Sequence, residues 1–443
     1  MRSQSNGHHV ALVVLGCLGA GLLLAVILVL LPFAGARENV ISGAVILAFA
    51  FGWASLAILS VRFTDQPQRW AALPTILSAL VGIVLLLWPG SVTHDAVGWL
   101  WPIPLLVLVA WMVVQSRKHL HSRARSWLLY PVFGVLALSA IGGAYEMVQE
   151  HIDRGQYTMP GRLVDVGDHR LHIYCTGSAS PTVILEAGLG EPSSMMSGWI
   201  QPDVSQDTRV CAYDRAGRGW SEPAEGPQDG IAVATDLHTL LDRSGENGPF
   251  VLAGHSAGGA YVLNFANLYP DDVAGIVLLD SMHPEQRARL EGWEAFYQTF
   301  RRASALLPSL SRVGVGRLIY LNYAADLPTK ARGEERAFWP TARHLRSLRD
   351  EFSELPTALL QAGDLKTLGD KPLVVVTAGK GAKAGWQPLQ DALAALSSNS
   401  LHRNIPDATH TMLTEDEGAA QMSSQAIRDA VKSVRTATEL PNR

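Results

Sequence analysis

The sequence predicts an α/β domain with a helical cap, preceded by an all-α transmembrane region. Three observations carry that reading. The composition is split: up to about Tyr145 the chain is overwhelmingly apolar, whereas the rest has the charge content of a soluble domain. Beyond Gly161, strand-like and helix-like segments alternate, the pattern of a sheet covered by helices. Within that alternation, F-V-L-A-G-H-S-A-G-G places Ser256 between a strand and a helix and surrounds it with small residues.

The apolar part holds five runs: Val10 to Phe33, Val40 to Val61, Trp70 to Trp88, Val97 to Val114 and Trp127 to Tyr145. Each approaches the roughly 20 residues that cross a bilayer as a helix. None contains Asp, Glu, Lys or Arg. Transporters usually carry ionisable groups inside their spans, so anchoring is favoured over transport, although five spans exceed what anchoring needs. Trp70, Trp88, Trp99, Trp101 and Trp127 fall at or near run ends, where an indole keeps its ring in hydrocarbon and its N–H among headgroups. Arg62 and Arg69 lie between the second and third runs, and Arg117, Lys118, Arg123 and Arg125 between the fourth and fifth. The alternate loops hold only Arg37. The positive-inside rule then makes the N-terminus cytoplasmic and places everything after the fifth span outside. Ala34-Gly35-Ala36 resembles a signal-peptide cleavage site, but cleavage there leaves four spans and the same outer location.

A net charge of −4 gives no reason to invoke nucleic acid, and the polar part has no basic stripe interleaved with aromatics. No His/Cys cluster has metal-ligand spacing, so neither metal nor cofactor is expected. His8, His9, His119 and His121 read as terminal or headgroup-facing residues. Cys17 falls in the first run, leaving Cys175 and Cys211 for the outer domain.

The organisation expected is a transmembrane region over 1–146, a connector over 147–160 and a polar α/β domain over 161–443. In that domain Arg162 to Val166 and Arg170 to Cys175 flank the turn signal Gly167-Asp168. Further strands are expected at Thr182 to Glu186, Thr208 to Tyr213, Phe250 to Ala253, Gly275 to Leu279, Leu373 to Thr377 and Leu401 to Ile405. Ala232 to Leu241 reads as a helix. About 283–370 has helical periodicity and no strand pattern, and an insertion of that length among strands reads as a cap. Its Leu306, Leu307, Leu310, Leu318, Ile319 and Leu321 suit greasy substrates, though any helix packed on a core has the same spacing.

G-x-S-x-G directly after a strand marks a sharp turn into a helix, with Ala257, Gly258, Gly259 and Ala260 small because neighbours crowd there. The helix runs on from Tyr261 to Leu268, before Pro270. The whole order of elements resembles the α/β-hydrolase superfamily from Gly161 to Val434. L-E-A-G-L-G-E-P-S-S is similar to its oxyanion loop, with Glu186-Ala187 where many members have histidine. A-Y-D-R-A-G-R-G-W-S resembles the loop after the fourth strand, carrying Asp214, Arg215, Gly217, Gly219 and Ser221. D-A-T-H-T-M resembles the loop that brings the histidine.

The resemblance implies a serine nucleophile, Ser256, with His410 as its base, because a hydroxyl needs a group to take its proton. His402 and His255 are lesser candidates for the base, and His283 is a substrate-side candidate. The chain order Ser, acid, His calls for a carboxylate between them. Lys380 to Trp386, where many members carry it, has none. Asp280 is the expected acid and Asp391 its competitor. Backbone N–H groups of Leu189 and Ala257 are the expected oxyanion donors, with Gly188 and Gly190 allowing close approach. A serine argues against the dehalogenases and epoxide hydrolases of the superfamily, which use aspartate at the elbow. The expectation is therefore an esterase acting on hydrophobic esters at a bilayer. An amidase or aminopeptidase, or a non-catalytic sensor module, stays open. The superfamily's strand order places the second and fourth strands side by side, which implies a Cys175–Cys211 disulfide in an oxidising compartment, with two free thiols as the alternative.

Overall fold

A computed structural model describes residues 2–88, 90–120, 127–320 and 326–441, with the side chains of 2–8 and 91–94 left aside. His121, Arg123, Arg125 and Leu321 lie outside the described residues, as does the His8 side chain. The chain divides into two compact units, 1–152 together with 302–319, and 153–301 together with 320–443.

The first unit is helical: α1 (Arg2–Leu30), α2 (Glu38–Phe63), α3 (Ala72–Leu87), α4 (Ser91–Leu100), α5 (Pro102–His119) and α6 (Tyr130–Gln156). Among the described residues four stretches are long and apolar enough to cross a membrane, namely His9–Leu30, Glu38–Phe63, Arg69–Leu87 and Tyr130–Gln156. The fourth apolar run is different from expectation. It breaks at Trp101, because Pro102 has no N–H to continue the helix and opens α5 instead. Asp95 of α4 shares Arg312 with Glu38 at the first residue of α2, while Gln68, just past the other end of α2, donates to the carbonyl of His119 at 3.5 Å. Helix contacts in this unit use small residues. A Cβ on Gly21 of α1 would lie 3.0 Å from the Ala48 carbonyl and the Gly52 Cα of α2, so close backbone approach supplies the packing. Trp70 departs from the interfacial role expected of it: it is buried beside Trp53, Trp111 and Phe133, its N–H donating to Gln68 at 2.7 Å. Trp88, Trp99 and Trp127 are exposed.

Residues 302–319 come from the expected cap yet belong to this helical unit. Arg312 pairs with Glu38 at 2.5 Å and Asp95 at 3.0 Å, and Arg317 pairs with Glu146 at 2.8 Å. The backbone of Val313 and Gly314 lies directly on Gly142 of α6; a Cβ there would come 2.2 Å from the Val313 carbonyl oxygen. The single cap predicted for 283–370 is thus divided between two units, a division that hydrophobic periodicity cannot reveal.

In the second unit eight strands among the described residues form one sheet: β1 (Arg162–Asp165), β2 (Arg170–Thr176), β3 (Val183–Glu186), β4 (Val210–Tyr213), β5 (Phe250–His255), β6 (Val273–Leu279), β7 (Leu373–Ala378) and β8 (Ser400–Ile405). Their order is β1-β2-β4-β3-β5-β6-β7-β8, parallel from β4 onward, with β2 antiparallel to β1 and β4. Successive strand residues feed two different cores. Ile184, Cys211 and Leu252 face one, while Val183, Val210 and Val251 face the other. A sheet covered on both faces needs strands apolar on both, which is why these segments read as unbroken hydrophobic runs. Helices α7 (Gly230–Ser244), α8 (Ala257–Leu268) and α9 (Ala342–Ala362) contribute to the first core and α10 (Glu417–Thr436) to the second. Asp229, Thr341 and Asp416 cap α7, α9 and α10 by accepting from backbone N–H groups. Cys175 and Cys211 are directly opposite in the β2–β4 register, and their sulfurs are joined at 2.05 Å.

Candidate active site

The segment expected to form a sharp turn does so. Strand β5 ends at His255, Ser256 has φ 54° and ψ −120°, and α8 starts at once with Ala257. A non-glycine residue with positive φ stores about 1–3 kcal/mol of strain, which the surrounding structure must impose. The imposition is visible: Ser256 N–H donates to Leu279 O at 3.0 Å, and its carbonyl accepts from Met282 N–H at 2.9 Å. The small neighbours are required sterically. A Cβ on Gly254 would come 2.6 Å from the Gly258 carbonyl, and one on Gly258 would come 2.4 Å from the Glu186 carbonyl.

Strand β6 ends beside β5 and delivers Asp280, also at positive φ (45°). Its Oδ2 accepts from His410 Nδ1 at 2.6 Å, while Oδ1 accepts from Trp386 Nε1 at 2.7 Å and Ala378 N–H at 3.2 Å. Burial acts to raise the Asp280 pKa, but these donors, His410 foremost, outweigh it and hold the carboxyl below its ordinary value. The competitor Asp391 is engaged elsewhere. It accepts from His402 Nδ1 at 2.9 Å, and His402 Nε2 pairs with the Thr377 hydroxyl at 2.7 Å. His410, on the loop after β8, is 42% exposed and its ring lies 4.7 Å from that of His255, the residue before Ser256. Among the described residues Ser256 Oγ has no hydrogen-bond partner. His283 accepts through Nδ1 from Glu285 N–H at 2.9 Å, and burial lowers its pKa.

After β3 the chain forms the loop that carries Leu189. Gly188 N–H donates to Glu191 Oε2 at 2.7 Å and Gly190 N–H to Glu351 Oε2 at 3.2 Å. Among the described residues the Leu189 and Ala257 N–H groups have no acceptor. Behind the loop, buried Arg215 donates to the carbonyls of Ala187 (2.7 Å) and Gly188 (2.5 Å) and to Glu351 (2.7 Å), and pairs with Glu186. Glu186, in place of the more usual histidine, is thus the counter-ion of an arginine supplied by the loop after β4. Asp214 in that loop accepts from Ser193 N–H (2.6 Å), His172 Nδ1 (2.8 Å) and Trp220 N–H (3.1 Å), fixing its shape. Sequence reasoning missed Glu191 and Glu351. Glu191 had a signal in its place within the loop, but Glu351 lies in a helix, 161 residues from the Gly190 it binds.

The chain belongs to the α/β-hydrolase family, whose characteristic sequence matches residues 181–417, more than half of the chain. An uncharacterised protein of Schizosaccharomyces pombe is 28% identical over 303 residues, covering 60% of this chain and 55% of that protein. Lipase LipV of Mycobacterium tuberculosis is 44% identical over 71 residues, 16% of this chain and 26% of the lipase. The chain spans about half the length of the yeast relative and less of the lipase. Among solved structures, the Cif epoxide hydrolase from Acinetobacter nosocomialis superimposes with a TM-score of 0.54 at 16% identity, covering 65% of this chain and 96% of that one. At that identity the likeness is one of fold.

Proposed function

We propose that the protein is a membrane-anchored serine hydrolase that cleaves carboxylic esters of hydrophobic substrates through an acyl-enzyme. The observation that carries the reading is Ser256 held on a strained elbow, with His410 on a neighbouring loop oriented by Asp280. With both Asp280 oxygens accepting, His410 keeps its proton on Nδ1 and offers Nε2 as the base. Ser256 Oγ attacks the ester carbonyl as His410 takes its proton. The tetrahedral oxyanion is received by the Leu189 and Ala257 N–H groups, and the protonated His410 then returns the proton to the departing alkoxide. Water repeats the sequence on the acyl-enzyme. Serine at the elbow supports this route over the aspartyl-ester chemistry that an epoxide hydrolase neighbour brings to mind, and the local likeness to a lipase supports an ester.

The same reading places the hydrolase outside the cytoplasm. Arg62, Arg69, Arg117 and Lys118 gather at the end of the helical unit where α2 and α5 finish. Glu38, Asp95 and Glu146 gather at the other end, on Arg312 and Arg317. The orientation requires an odd number of crossings, with α5 as a fifth beside the four long apolar stretches. The test is a fluorophosphonate probe applied to intact and to lysed cells. Labelling of wild type in intact cells by an impermeant probe, abolished by Ser256→Ala, is expected. Labelling at another residue, or hydrolysis undiminished in Ser256→Ala, overturns the enzyme reading; labelling only after lysis overturns the orientation.

A further inference from the structure

Three consecutive amides in the loop after β3 meet three different fates. Gly188 N–H is taken by Glu191, Gly190 N–H by Glu351, and the Leu189 N–H between them has no acceptor among the described residues. Neither carboxylate is free on the surface: Glu351 is buried, Glu191 largely so, and each is anchored. Glu191 Oε2 also accepts from His255 Nδ1 at 3.1 Å, and His255 Nε2 donates to the His410 carbonyl at 3.2 Å. Both partners of that ring are acceptors without a proton, so both ring nitrogens must donate and His255 is an imidazolium. Burial opposes this charge, yet Glu191 and the His410 carbonyl outweigh burial and raise the His255 pKa. On the other side Glu351, from α9, is bracketed by Arg215 and Arg218, and Arg215 also holds the carbonyls of Ala187 and Gly188. One edge of the loop is therefore fastened to the elbow and the His410 loop, the other to a helix of the cap.

We propose that Glu191 and Glu351 are positioning residues of the oxyanion site: by occupying the amides on either side, they fix the loop and leave Leu189 N–H as its one donor for the reacting carbonyl. The proposal rests on the acyl-enzyme reading. A donor locked in place before reaction needs no reorganisation when the oxyanion forms, whereas a loop with glycines at both flanks would move to satisfy its own amides. Linking one clamp to α9 also makes the oxyanion site sensitive to the cap, and linking the other to His255 ties it to the elbow that carries Ser256.

The experiment uses the full chain in detergent with p-nitrophenyl butyrate as substrate and an alkyl trifluoromethyl ketone as the oxyanion-forming inhibitor. Glu191→Ala is expected to lower kcat about 10- to 100-fold, somewhat less than the loss of a whole donor. KM should stay within about twofold, and inhibitor affinity should fall in proportion to kcat. Glu191→Gln retains an oxygen able to accept from both Gly188 and His255, and should recover most of the loss. Glu351→Gln has one oxygen in place of the two that hold Arg215 on one side and Gly190 N–H with Arg218 on the other, so its NH2 opposes a donor either way and the same two readouts should fall. Full kcat in Glu191→Ala, or a fall in kcat with wild-type inhibitor affinity, overturns the positioning role. Should Glu191→Ala fail to fold, the decision passes to Glu351→Gln, where kcat and inhibitor affinity equal to wild type would overturn it. Wild type that neither hydrolyses the ester nor is labelled at Ser256 would instead refute the underlying mechanism, so the two failures are distinguishable.

Discussion

Replacing Asp280 by asparagine tests the orienting role with geometry that leaves little freedom. Two donors, Trp386 Nε1 and Ala378 N–H, converge on Oδ1. An asparagine must turn its only oxygen to them, since its NH2 group cannot accept. The NH2 then faces His410 Nδ1, at the position of the present 2.6 Å contact, and forces that nitrogen to accept. His410 so arranged carries its proton on Nε2 and cannot take one from Ser256. A forced tautomer of this kind lowers kcat by about 10⁴, or roughly 5.5 kcal/mol at 1.36 kcal/mol per decade. Folding should be little disturbed, because shape and two of three hydrogen bonds are kept. The assay is ester hydrolysis by purified full-length protein, with thermal unfolding as a control. Asp391→Asn is the comparison: its partner is His402, and less than a twofold change is expected. Activity in Asp280→Asn above a tenth of wild type, or a larger loss in Asp391→Asn, would refute the assignment.

Three further outcomes are expected. The raised pKa of His255 stabilises the fold fully below its ordinary 6.5, and that contribution is lost as pH rises through the folded value; Asp280, held low, acts in the opposite sense, losing its contribution as pH falls through its depressed value. Unfolding followed against pH should therefore show an alkaline decline that Glu191→Gln flattens, and an unchanged decline would discard the ion pair. Arg317→Glu should destabilise the full chain by about 3 kcal/mol, as for a buried pair losing one partner, and the added change Glu146→Arg should restore part of it; no recovery in the melting temperature would argue against this contact. Peptide mapping without reduction should find Cys175 linked to Cys211, and the double serine variant should lose about 3–4 kcal/mol for a loop of 36 residues; two alkylatable thiols would rule the bond out.

The apolar runs, the strands and the elbow were legible in the chain because each rests on local chemistry. A run without charges, a period of burial and small residues around Ser256 are properties of neighbours in sequence. Even there, one proline altered the outcome, since Pro102 divides the fourth run into two helices. The pairing of Asp280 with His410 spans 130 residues and that of Glu351 with Gly190 spans 161. No periodicity records such a contact. The sequence favours Asp280 over Asp391 by its place at a strand end, but only the fold shows which histidine each meets: β6 brings Asp280 to His410, while Asp391 meets His402 on β8. The division of the cap has the same origin. Nothing local marks Arg312 or Arg317 as paired; the fold sets Glu38, Asp95 and Glu146, from three separate helices, around them. Local propensity is written in short stretches of residues, but charge pairing and loop geometry depend on which distant segments the sheet and the helices bring together.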